Sequence, residues 1–131
     1  MEEVLQFLSQ MGTFYLASMD GDQPRVRPFG AVMGYEGKLY LITNNQKEVW
    51  KQLTKNPKVE LCACNEKGEW LRVSAVVVPD PRMEAKTAML EANPNLKNMY
   101  QVDDGVMTVF YLKEATAIFS SFMEAPKTIV F

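Results

Sequence analysis

Two hydrophobic periods alternate along the chain, and each change of period marks an element. Residues 2–9 place Val4, Leu5 and Leu8 on one side at helical spacing, and Gly12 follows as a stop. Residues 13–19 are rich in aromatic and aliphatic side chains and read as a strand, with Asp20, Gly21 and Asp22 supplying a hairpin turn. A returning strand is expected over 25–33, a turn over 34–37 and a third strand over 38–43, the three forming an antiparallel meander. Helical spacing resumes over 47–55 with Val49, Trp50 and Leu53, until Asn56 and Pro57 end it. Strands over 59–64 and 70–78 flank a hairpin connection at 65–68, and Pro79, Asp80 and Pro81 close the second. Helical pieces over 82–90 and 96–100 surround Asn93 and Pro94, and strands over 106–112 and 116–119 follow. Residues 121–131 show no clear period, although Thr128, Ile129, Val130 and Phe131 are too apolar for an obviously disordered tail.

Six or seven strands with small helices make a mainly β domain, and 131 residues leave room for one domain only, 1–131. Curling the sheet into a barrel would remove the edges that a flat sheet leaves exposed. Periodicity alone leaves a second architecture open, an α+β sheet covered on one side by the helices.

Composition narrows the functions. Hydrophobic residues form 47% of the chain, enough for a core and for an apolar patch that meets a partner or a cofactor. With 14 Lys plus Arg against 16 Asp plus Glu, an anion has to be held by a local cluster of donors, so broad nucleic-acid binding is disfavoured. The chain opens on Met1, Glu2 and Glu3 with no basic leader and has no apolar run of membrane-spanning length, from which a cytoplasmic location without membrane contact is expected. There is no histidine, and Cys62 and Cys64, two apart on a strand, share a face and cannot easily bridge. Zinc and haem held in their usual ways would lack ligands, no metal site is expected, and hydrolysis through a histidine base is excluded. The nine methionines are scattered and read as filler for core and interface gaps.

Three clusters remain that could carry chemistry. In the run Pro24, Arg25, Val26, Arg27, Pro28 and Phe29, an extended strand puts both arginines and the ring of Phe29 on one face. Like charges so close favour an anion nearby, and the guanidinium fork suits phosphate; a solvated strand face is the plain alternative. In the run Thr43, Asn44, Asn45, Gln46 and Lys47 a strand ends and a helix begins. Asn44 or Asn45 can cap that helix, whose first N–H groups could take a phosphate with the Thr43 hydroxyl and the Lys47 ammonium; a plain cap with a surface lysine looks the same. Trp70 and Arg72 share a face of another strand and could border a flat conjugated ring, or equally serve as an interface tryptophan beside a snorkelling arginine. Trp50 is read as helix packing. Asp80, Asp103 and Asp104 are read as acidic turn residues without paired-carboxylate geometry. Tyr15, Tyr35, Tyr40, Tyr100 and Tyr111 could donate protons, but no basic neighbour singles one out.

With these residues in view, the chain resembles the pyridoxamine 5'-phosphate oxidase-like family of FMN-binding split barrels, in its short bacterial single-domain form. The resemblance runs from about 11 to 119 and lies in the order and spacing of 14–18, 24–29, 38–43, Lys47, 56–63 and 70–73. It implies a mainly β split barrel that pairs as a homodimer and holds FMN at the seam. In such proteins the FMN phosphate is held by the second strand, the end of the third and the following helix start, which here are Arg25 or Arg27, Thr43, Asn44 and Lys47. Arg27 is preferred because it immediately precedes the Pro28 and Phe29 pair. The backbone of Val26, Pro28 and Phe29 would lie along the ring system, and Trp70 and Arg72 would border the same site, from the same or the other subunit. The connection from Thr43 to Lys47 is shorter than in the full-length oxidases. The chain also has no counterpart of their C-terminal extension, which implies an FMN-dependent oxidoreductase that does not form pyridoxal phosphate. NAD(P)H or another small redox partner is expected. A non-enzymatic flavin carrier, and the same fold using deazaflavin F420, stay open beside it.

Overall fold

Alternation is strictest at 58–64 and 70–77, where Val59, Leu61, Ala63, Leu71, Val73, Ala75 and Val77 all point inward and their neighbours outward. These residues build the middle of the sheet. In the computed structural model, which describes residues 1–131, the strands are β1 (Phe14–Asp20), β2 (Gln23–Phe29), β3 (Val32–Tyr35), β4 (Lys38–Asn44), β5 (Lys58–Cys64), β6 (Trp70–Asp80), β7 (Met107–Ser120) and β8 (Lys127–Val130). The helices are α1 (Glu2–Met11), α2 (Glu48–Lys55) and α3 (Met83–Ala92), with a 3-10 turn over Pro94–Asn98.

All ladders are antiparallel, in the order β2-β1-β5-β6-β7-β4-β3, and β8 adds to the far half of β7. The fold is a mainly β split barrel whose sheet path stays open. β2 and β3 end the path without pairing to each other, so the edges are not removed by closure. Instead Pro24 and Pro28 blunt β2, since neither has an N–H to offer another strand.

Helices cover both faces. Val4 and Leu8 of α1 and Val49 and Leu53 of α2 join the larger core with Phe14, Phe29, Leu61, Val73 and Phe110. On the opposite face Ala85, Met89 and Leu90 of α3 pack on Met33, Tyr40, Ile42, Met107 and Val109. Trp50 lies 6.1 Å from Phe110 and packs α2 on the sheet.

Several sequence expectations are corrected. The strand expected over 25–33 is two strands at opposite ends of the sheet, and the three-strand meander does not form: β4 pairs with β3 and β7, while β1 pairs with β2 and β5. The cause is a slip of phase. Phe29 faces the larger core, Ala31 the smaller, Val32 the larger and Met33 the smaller, which one uninterrupted pleat cannot do. The turn after β3 is only Glu36 and Gly37, both at positive φ, so Gly34 and Tyr35 belong to the strand. The strands expected over 106–112 and 116–119 are one long β7, bent by a bulge at Glu114, whose φ is 54°. The segment without a period supplies β8, and Phe131 exchanges backbone bonds of 2.7 and 2.9 Å with Ala115.

Asp80 is not a turn residue. It ends β6 buried, accepts a hydrogen bond from the Tyr40 hydroxyl at 2.7 Å and pairs with Arg82 at 2.9 Å. Arg82 also reaches Glu36 at 2.9 Å, so one guanidinium ties the start of α3 to the β3–β4 hairpin. Burial, and then the hydrogen bond to Asp80, push the Tyr40 hydroxyl up to about 12.

Candidate functional site

The break between β2 and β3 opens a cleft of about 460 Å³, within the usual size of a small-molecule site. One wall is the end of β2 and the connection after it, with Arg27, Pro28 and Phe29; the floor is the end of β4 and the start of α2, with Thr43, Lys47 and Val49. The third wall is the end of α3 and the 3-10 turn, where Asn93, Leu96 and Tyr100 face the cleft. No Asp or Glu lines it.

Arg27 is half-buried and has no carboxylate partner. Its Nη1 donates to the Ser18 hydroxyl at 2.8 Å and the Leu16 carbonyl at 3.2 Å, and Nη2 donates to Gln52 Oε1 at 2.6 Å. The Ser18 hydroxyl donates to the same Gln52 oxygen at 3.0 Å. Nη1 also lies 3.5 Å from the Arg25 carbonyl, and these contacts leave Nε–H and one Nη2–H without a partner in the chain, donors of the kind that bind carboxylate or phosphate. Burial, and then the charge of Arg25, pull the Arg27 pKa below the ordinary guanidinium value. The attraction of a bound anion would offset both.

Thr43 is only 3% exposed, yet its hydroxyl bonds to no other group of the chain. No buried polar side-chain atom is left sealed from solvent without a partner, so this oxygen opens on the cleft that Thr43 lines. Lys47 stands at the N-cap position of α2 with no side-chain cap and no acidic partner. The first turn of α2 closes only from Trp50 and Lys51 back to the Lys47 carbonyl, at 3.1 and 3.5 Å, so the N–H groups of Glu48 and Val49 are unpaired.

Of the residues expected at the site, the structure therefore gathers Arg27, Pro28, Phe29, Thr43 and Lys47 on one cleft. The others lie elsewhere. Arg25 turns to Asp20 at 3.3 Å in the open, and Val26 is 67% exposed on the outer face of β2. Trp70 and Arg72 project from the outer face of β6, Trp70 against Phe122 at 5.3 Å and Arg72 opposite Cys62 and Ile118, and neither reaches the cleft of its own chain. The expectation that Asn44 or Asn45 caps α2 is also corrected. Asn44 Oδ1 accepts from Gln46 N–H at 3.0 Å and its Nδ2 donates to the Tyr100 hydroxyl at 3.3 Å, while Asn45 Nδ2 donates to the Gly105 carbonyl at 2.9 Å. The loop before β7 attracts both amides because it packs beside the end of β4.

Sequence reasoning missed Ser18, Gln52 and the whole third wall. Ser18 and Gln52 are 34 positions apart and meet only through tertiary packing. For the third wall the break at Asn93 and Pro94 was a local signal of a bend, but nothing in the pattern tells which strand end the bend will face.

A family model for pyridoxamine 5'-phosphate oxidase matches residues 1–101, which include β2, β4 and the start of α2. A NimC/NimA family protein of Clostridium acetobutylicum has 50% identity and a TM-score of 0.98 over 100% of this chain and 92% of its own. General stress protein 26 of Bacillus anthracis aligns over 99% of this chain and 98% of its own at 16% identity with a TM-score of 0.77, and a heme binding protein from Mycobacterium smegmatis over 98% and 57% at 14% identity and 0.76. These two share the fold. Among curated proteins none matches the sequence. No helix is long and apolar enough to cross a membrane. With most of its length matched by the family model and all of it by a half-identical structure, the chain belongs to the pyridoxamine 5'-phosphate oxidase-like family.

Proposed function

We propose that the chain binds FMN in this cleft and acts as an FMN-dependent oxidoreductase in the form of a homodimer. The observation that carries the reading is the meeting of Arg27, Thr43 and Lys47, from three separate elements, on a cleft without a carboxylate in a chain of net charge −2. Such a place suits a phosphoryl group. Arg27 offers its free N–H donors, Thr43 its hydroxyl, Lys47 its ammonium and α2 two unpaired N–H groups. Bound FMN would supply hydride or electron transfer. The chain's part is to hold it: Pro28, Phe29 and the backbone beside them offer a flat apolar wall, and Leu96 faces them from the third wall.

Haem fits less well. Haem, named for the Mycobacterium smegmatis neighbour, would find neither histidine nor cysteine on these walls. An F420 ligand would ask for the same anion site, so direct comparison of the two flavins decides between them.

Titration of FMN fluorescence tests the reading. Micromolar or tighter quenching is expected, with Arg27→Ala and Lys47→Ala each weakening it by about 1.5–3 kcal/mol as a charge-assisted bond is lost. Arg25→Ala, which removes only an exposed pair with Asp20, should change it little. Absence of FMN binding by the unaltered protein would sink the proposal. Rapid reduction of the bound flavin by NAD(P)H, followed by transfer to an acceptor, distinguishes an enzyme from a carrier.

A further inference from the structure

We propose that the Tyr100 hydroxyl is a further donor to the phosphoryl group in this cleft, and that Asn44 acts through Tyr100 as a positioning residue without touching the ligand. The inference rests on the flavin reading above. Its starting point is the orientation of one amide. Asn44 Oδ1 accepts the Gln46 N–H at 3.0 Å, which assigns the two ends of the side chain and turns Nδ2 toward Tyr100 at 3.3 Å. An amide NH₂ can only donate, so the phenol oxygen is the acceptor in that bond. The Tyr100 O–H proton is left unused, and no other group of the chain bonds to this hydroxyl.

Tyr100 lines the cleft together with Thr43, which precedes Asn44 in β4, and Lys47, which follows it at the start of α2. The segment carrying it is firmly held. Tyr100 N–H bonds the Leu96 carbonyl at 2.9 Å, Asp104 accepts the Gln101 N–H at 3.0 Å, and Asn45 ties the following loop to β4 through bonds of 3.0 and 2.9 Å to Val106 and Gly105. Asn44 thus ties Tyr100, and Asn45 the loop before β7, to the strand end, and a neutral donor is presented on the cleft that Arg27 and Lys47 also line. A phosphoryl group, with three acceptor oxygens, can use such a donor in addition to the charged ones; riboflavin, which lacks the group, cannot.

The experiment compares FMN and riboflavin titrations of the unaltered protein, Tyr100→Phe, Asn44→Ala and the double variant, each checked for an unchanged thermal melt. Tyr100→Phe is expected to lower FMN affinity by about tenfold or more, the usual scale for a bond to a charged group, with riboflavin affinity unchanged. Asn44→Ala should weaken FMN in the same selective way, and should add nothing in the Tyr100→Phe background. FMN binding unaltered in Tyr100→Phe overturns the proposal, as does an equal loss for FMN and riboflavin. A further loss on adding Asn44→Ala to Tyr100→Phe overturns the positioning role. If the unaltered protein binds no FMN, the flavin reading itself fails and takes this inference with it.

Discussion

At the scale of single residues, the site depends on how Arg27 is kept charged and aimed while half-buried. Ser18 and Gln52 do this with neutral acceptors, so the guanidinium is oriented without being neutralised. Gln52→Glu therefore makes a specific prediction. A carboxylate at the 2.6 Å contact would pair with Arg27 and compete with any bound phosphoryl group, so FMN affinity should fall by about 1–2 kcal/mol although the side chain is nearly isosteric. Fluorescence titration with riboflavin as the control checks it, and equal behaviour of the two flavins would show that position 52 does not act through the phosphate end. At this scale the sequence was partly legible. Strand periodicity put Arg25 and Arg27 on one face, but which of them lies free was set by the hairpin, which returns Asp20 to within 3.3 Å of Arg25. A cross-strand partner is a matter of register and of rotamer, and neither is written in the spacing.

At the scale of elements, single strands and helices were readable wherever one face is buried and the other wet, as in β5 and β6. The pattern failed where the chain changes faces. Phe29 to Met33 is almost wholly apolar, so a slip of one position left no polar residue to betray it, and the break that creates the cleft was hidden inside an unbroken strand pattern. Asp80 shows the reverse case, a charged residue between prolines that looks like a loop and in fact organises the start of α3. Its Arg82 hydrogen bonds, opposed by burial and aided by Tyr40, hold its carboxyl well below the ordinary range. The ionised form is favoured by the fold, so its contribution is complete above the unfolded value near ~4 and is lost as pH falls from there toward the folded value. Asp80→Asn should cost about 1–3 kcal/mol at neutral pH, a range reduced because Arg82 is 41% exposed. Urea melts of both proteins should differ fully at pH 5 and above and begin to converge below about 4, the gap narrowing further as pH falls. A constant gap across that range would mean that the charge of Asp80 is not what matters.

At the scale of the whole molecule, the helices leave one region of sheet bare. α3 covers β3, β4 and the first half of β7, whereas the outer face of β2, β1, β5 and the first part of β6 carries Val26 at 67% exposure, Tyr15 at 50%, and exposed Pro24, Pro28, Cys62 and Arg72. Register places Tyr15 between Pro28 and Cys62, and Arg72 across from Cys62, so these side chains form one continuous strip. Pro28 belongs both to this strip and to the cleft wall. A second copy seated on the strip would therefore also meet the cleft wall at Pro28. Association should proceed face to face, since the prolines of β2 discourage strand addition at the edge. Sedimentation at micromolar concentration should report a dimer. Val26→Asp, which alters no cleft contact and no core packing, should shift it toward monomer and weaken FMN together. A dimer that survives this change would place the interface on another surface, and a monomer that keeps full FMN affinity would show that one copy completes the site alone.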